Sequence, residues 1–139
     1  MTPENQQANV RDEVARGNEA LQAAEELLRL GFFNDTVSRA YYAAYHWAKA
    51  LLLSKGMESK THRGMVQLVA LRFVREGLLP GDAATVLAQL EDAREASDYA
   101  ASTRFTEQEA RDTLERARAF IEFCKPVLGP ILGADSLGE

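Results

Sequence analysis

The chain has 139 residues, enough for one domain with one core. It is 46% apolar and 27% charged, the ordinary balance of a globular protein, and no apolar run approaches the ~18 residues of a membrane span. A net charge of −5 argues against a generally basic nucleic-acid binder, and the single cysteine, Cys124, rules out an intrachain disulfide and a cysteine-based zinc site.

The first helix is predicted to start at Thr2, a residue that can cap, with Pro3 at the first helical position. Val10, Val14, Ala20, Leu21, Ala24, Leu27 and Leu28 recur at helical spacing on one face. Gly17 reads as a weak point where the first turns fray or bend, and Gly31 as the C-terminal stop. A second helix is predicted from Asn34 or Asp35 to Lys55, stopped by Gly56. Its apolar residues surround it, as in a central helix or one shared with a second subunit. A third helix is expected from Thr61 or His62 to Glu76, ended by Gly77. Pro80, Gly81 and Asp82 then turn the chain into a fourth, with its end near Ala101. Thr106 and Glu109 have the spacing of a capping box and start the fifth, which Pro126 is expected to close. No strand-like alternation and no internal repeat occurs. The expected architecture is all-α, an up-and-down bundle of four to five antiparallel helices over residues 1–125, with 126–139 a loose or surface-lying tail. The N-terminus lacks a signal-peptide pattern, so a cytoplasmic protein is expected.

Charge is unevenly distributed. From Thr36 to Arg75 seven Lys/Arg face one acid, Glu58, a surplus of six that leaves the rest of the chain at −11. Such asymmetry marks a face that meets an anion, or helices that pair with acidic neighbours in the same domain.

Glycine-rich phosphate loops, HExxH and Gly-x-Ser-x-Gly are absent, and neither histidine has a glutamate three residues before it; no metal or cofactor is expected. Arg39 and His46 lie seven apart, on one helix face and about 10 Å along the axis. A phosphate fits between them, held by an always-charged planar fork and served by a proton carrier. The same pair also reads as buried polar groups satisfied by Glu95 and Asp98 of the fourth helix. Arg94 is four after Leu90 and seven after Leu87, so it points inward. With Asp98 it forms either a buried ion pair or part of a phosphate or nucleotide site. His62 and Arg63 at the start of the third helix suit an anion, or simply follow a Thr61 cap. Tyr41, Tyr42, Tyr45 and Trp47 offer rings for base stacking, or core and dimer contacts. Cys124, beside Phe120, Ile121 and Phe123, reads as a buried small hydrophobe.

The blocks SRAYYAAYHWAKALLLSKG, KTHRGMVQLVALRFVREGLLP and LEDAREASDY, in that order and spacing, resemble the HEPN domain in its short stand-alone bacterial and archaeal branch. The likeness covers residues 17–124. It implies a bundle of four or five helices, often a homodimer. It also implies either a metal-independent ribonuclease, commonly the toxin partner of an MNT-type nucleotidyltransferase antitoxin, or a non-catalytic scaffold or nucleotide-binding module. The family's nucleases carry Arg-x4–6-His on a late helix, in some toxins with a Tyr two residues on. Arg94 matches that arginine, but no histidine follows it before Tyr99; Arg39-x6-His46 has the spacing on an earlier helix. The resemblance therefore places RNA or nucleotide against His46 as acid or base, Arg39 and Arg94 as phosphate clamps and Asp98 as orienter. Tyr42, Tyr99, His62 and Arg63 are expected around the ligand.

Overall fold

In the computed structural model, residues 2–99 and 103–133 are described. They form α1 (Pro3–Leu30), α2 (Phe33–Ser54), α3 (His62–Val69), α4 (Ala83–Tyr99) and α5 (Glu107–Leu132), with no strand among them. α3 runs on into a π-helical turn, Ala70–Val74.

The helix ends follow from side-chain chemistry. Thr2 Oγ1 accepts from Asn5 N at 3.1 Å, with Pro3 at the first position. Thr106 and Glu109 close a reciprocal capping box at 3.1 and 2.9 Å. At the end of α1, Gly31 takes φ 87°, and the N–H groups of Gly31 and Phe32 return to Leu28 O and Leu27 O at 3.1 and 2.9 Å. α2 begins at Phe33, without a side-chain cap. The Asn34 amide is engaged elsewhere: it donates to Thr103 O at 3.1 Å and accepts from Phe105 N at 2.9 Å, tying the start of α2 to the segment before α5.

α2 is the central helix and packs against α1, α3, α4 and α5. Its Tyr41, Trp47, Leu51 and Leu52 are fully buried with Phe73, Leu87, Leu90, Leu114, Phe120 and Leu128 from the helices around it. Cys124 lies in the same core, where burial pushes its thiol well up.

Two expectations are corrected here. Gly17 does not fray the helix: it lies within α1 at the crossing with α2, where a Cβ would stand 2.6 Å from Trp47 Cδ1. The fifth helix does not end at Pro126 but passes through it and Pro130 to Leu132. A proline inside a helix costs about 3 kcal/mol. Burying Leu128 and Leu132, 0% and 4% exposed, returns about 1.5–3 kcal/mol each. Arg11 Nη2 fastens the end of α5 by donating to Ile131 O at 3.1 Å. The expected end of the fourth helix near Ala101, and positions 134–139 of the expected tail, lie outside the described residues.

Candidate functional site

Between Thr36 and Leu53 of α2, six residues escape full burial: Ser38, Arg39, Tyr42, Tyr45, His46 and Lys49. At 3.6 residues per turn they fall in one arc of about 120°. Arg39, Tyr42, Tyr45 and His46 therefore share one open stripe, flanked by α1 on one side and by α3 and α4 on the other, whereas Tyr41 and Trp47, the other candidate stacking rings, are buried in the core.

On the α1 side the stripe meets Glu13. This glutamate belongs to the buried arc of α1, with Val10, Val14 and Gly17. Its Oε1 accepts from His46 Nδ1 at 2.7 Å and its Oε2 stands 3.3 Å from Lys49 Nζ. The residue is only 8% exposed, so both contacts compensate the desolvation of its carboxylate. Beside it runs an open groove of about 300 Å³ lined by Arg16, Glu19, Ala20, Ala23, Arg39 and His46. Arg39 makes no ion pair among the described residues; its guanidinium rests on the Tyr42 ring, 5.8 Å from the centroid.

On the α4 side the stripe meets a different environment. Arg94 is 5% exposed. Its Nη2 donates to both oxygens of Glu91 at 3.0 Å, its Nη1 donates to Tyr99 Oη at 3.1 Å, and Asp98 Oδ2 stands 3.7 Å away. The guanidinium also covers the rings of Tyr41, Tyr42 and Tyr99 at 5.2, 5.8 and 5.5 Å. Burial, the largest single effect, pulls its pKa down, but the hydrogen bonds and charge of Glu91 together with Tyr42 and Tyr99 outweigh it and the pKa stands above the ordinary value. Its Nε is buried without an acceptor. Tyr41 Oη contacts His62 Nδ1; burial first, and then the adjacent Glu91 charge, raise its pKa far above the usual phenol.

His62 and Arg63 border an open cavity of about 710 Å³ between α3 and α4. Thr61 caps α3 through Gly64 N at 2.9 Å, while His62 turns inward to Tyr41 and, at 3.9 Å, Glu91. Glu91, Asp92 and Glu95 face Arg63 across this cavity. Three carboxylates face one guanidinium there, whereas the α1 groove sets Arg39 and Arg16, the latter paired to Asp12 at 3.1 Å, against Glu19, a balance less hostile to an anion.

The structure thus separates the expected site residues. Arg39 and His46 share the α1–α2 groove. Arg94, Asp98 and Tyr99 form a polar knot on α4 with Tyr42 shared between Arg39 and Arg94, and His62 and Arg63 lie on the third wall. Helices α2 and α4 are neighbours, yet Arg94 joins Arg39 only through the Tyr42 ring and takes Glu91, three residues back, as its main partner rather than Asp98. The expected pairing of Arg39 and His46 with Glu95 and Asp98 is corrected: the acid that meets His46 is Glu13 of α1. Glu13, Lys49 and Glu91 were not foreseen. A glutamate on the apolar arc of α1 is the same signal that marked Arg94. No group of three His, Cys, Asp or Glu placed to hold a metal occurs among the described residues, and no described helix is long and apolar enough to cross a membrane.

Comparison with known proteins gives a consistent assignment. The HEPN domain profile matches residues 10–127. The chain is 36% identical over 120 residues to "Putative toxin MJ0605" of Methanocaldococcus jannaschii, covering 86% of this chain and 87% of that one. It is 32% identical over 129 residues to UPF0332 protein glr0978 of Gloeobacter violaceus, covering 92% and 98%. Among solved structures, TT1696 from Thermus thermophilus superposes with a TM-score of 0.72 over 84% of this chain and 96% of that one. At 22% identity this likeness shows the shared all-α fold.

Proposed function

Because the chain belongs to the HEPN domain family, we propose that it is a toxin-like member that takes RNA or a nucleotide into the α1–α2 groove and cleaves RNA there without a metal ion. It acts as a homodimer in the cytoplasm, with a nucleotidyltransferase as its antitoxin partner. The observation that supports this most is the state of Arg39 and His46. They border one open groove, and Arg39 has no acid partner among the described residues. An arginine held against a ring and free of carboxylates binds phosphate as a planar fork. An imidazole at hydrogen-bond reach of a ribose hydroxyl serves as its base. Arg16, which Asp12 holds at 3.1 Å, stands on the opposite wall with its remaining N–H groups as further donors.

Arg94 has a different role in this reading. Enclosed by Glu91, Asp98 and three rings, it holds α4 to α2 and does not clamp the phosphate. That enclosure also favours a second reading, a non-catalytic dimeric scaffold or nucleotide-binding module, in which the polar residues only order the bundle.

Incubating RNA with wild type and His46→Ala in EDTA tests the proposal. Wild type is expected to cut and His46→Ala to lose on the order of 10²–10⁴-fold in rate. Wild type that binds a short oligonucleotide without cutting it supports the binding-module reading. A cutting rate unchanged in His46→Ala removes His46 from the chemistry.

A further inference from the structure

Glu13 is the buried charge that the proposed chemistry leaves unexplained. It sits on the inward arc of α1, where an apolar residue would pack without desolvation cost. Lys49 alone, at 3.3 Å from Oε2, would balance its charge. The 2.7 Å contact from Oε1 to His46 Nδ1 is a separate interaction, and it fixes the chemistry of the ring. An ionised carboxylate only accepts hydrogen bonds, so Nδ1 carries the hydrogen. In the neutral imidazole the lone pair is then on Nε2, the ring nitrogen left to a ligand in the groove that His46 borders. Tyr45 packs edge-on against the imidazole, centroids 5.1 Å apart, and limits its rotation.

We infer that Glu13 is a positioning residue, holding His46 in the Nδ1–H tautomer so that Nε2 takes the proton from a hydroxyl-bearing phosphodiester seated between Arg16 and Arg39. This rests on the reading of the groove as the site of RNA cleavage. The ribose 2′ hydroxyl gives its proton to Nε2 as the O2′–P bond forms. The P–O5′ bond breaks, the leaving oxygen takes a proton from water, and the imidazolium returns its proton to solvent. The products are a 2′,3′-cyclic phosphate and a 5′ hydroxyl, with no oxidant or metal consumed.

Two measurements on the full chain test this. The first is the tautomer of His46, read by two-bond ¹⁵N–¹H correlation on ¹⁵N-labelled protein. The chain has two histidines, and His46→Ala identifies the signals to follow. Wild type is expected to show Nδ1–H, and Glu13→Ala a shift toward Nε2–H. The second is cleavage of a short synthetic RNA in EDTA by wild type, Glu13→Ala and Glu13→Gln. Glu13→Gln keeps the side-chain volume if Glu13→Ala does not fold. Loss of the orienting carboxylate is expected to lower kcat roughly tenfold or more, with KM within about twofold.

A tautomer of Nε2–H in wild type, or cleavage by both Glu13 variants at the wild-type kcat, overturns the role of Glu13 and leaves the ribonuclease reading standing. Wild type that leaves the RNA intact overturns that reading, and the role of Glu13 with it.

Discussion

Replacing Gly17 by alanine isolates the contact that sets the distance between α1 and α2. On an exposed helix face the change would stabilise by about 1 kcal/mol, because alanine is the better helix former. Here the new Cβ would stand 2.6 Å from Trp47 Cδ1, 3.0 Å from Trp47 Nε1 and 3.0 Å from the carbonyl oxygen of Ala43. The last is backbone and cannot rotate away. Trp47 is 0% exposed and its Nε1 donates to Asn18 Oδ1 at 3.3 Å, so the ring has nowhere to go without breaking that bond. Overpacking of this kind costs about 1–3 kcal/mol and exceeds the propensity gain. The expected net loss is up to about 2 kcal/mol, a fall in Tm of up to roughly 8 °C for a domain of this size. Thermal melts followed by circular dichroism measure it, with Gly81→Ala as the control, since no neighbouring atom lies within 4 Å of a Cβ there. A Gly17→Ala protein that melts at or above wild type would refute the argument that close approach, and not propensity, governs this position.

Other tests follow from the α4 side. Arg94→Ala leaves Glu91 without its main cation and is expected to cost on the order of 3 kcal/mol in urea unfolding. The double variant Arg94→Met with Glu91→Gln should recover most of that, and under the proposed function it should still cleave RNA; loss of cleavage in a stably folded double variant would return Arg94 to the active site. Tyr41 gives a pH signature. Its folded pKa is raised above the ordinary value near 10, so below pH 10 both states keep the proton and its contribution is intact. Above pH 10 the unfolded chain releases the phenolic proton while the folded one retains it, so stability falls as pH rises. Absorbance at 295 nm should show one of the four tyrosines resisting ionisation until unfolding, and Tyr41→Phe should flatten the alkaline loss of stability.

The bundle was legible because its signals are local. Helical periodicity, the Thr2 cap, Gly31 and the Thr106–Glu109 box each lie within a few residues of the end they define. The passage of α5 through Pro126 was not, because the burial that offsets the proline belongs to the tertiary fold. The site divides in the same way. The inward turn of Arg94 could be read from its distance to Leu87 and Leu90 on one helix. The partner of His46 stands 33 positions away on another helix, and no spacing rule connects them. What joins them is the α1–α2 crossing, which the sequence announces only as a glycine.

The open stripe of α2 has a consequence for how such a protein changes over generations. The arc of α2 that carries Val37, Ala40, Ala44, Trp47 and Leu51 is occupied by the fold and tolerates little substitution. Ser38, Arg39, Tyr42, Tyr45, His46 and Lys49 lie outside it, so exchanges among them leave that packing intact, although His46 and Lys49 remain tied to the buried Glu13. Under the proposed function, one backbone can then lose a reactive pair on one flank of this helix and acquire another on the opposite flank while the apolar arc stays packed.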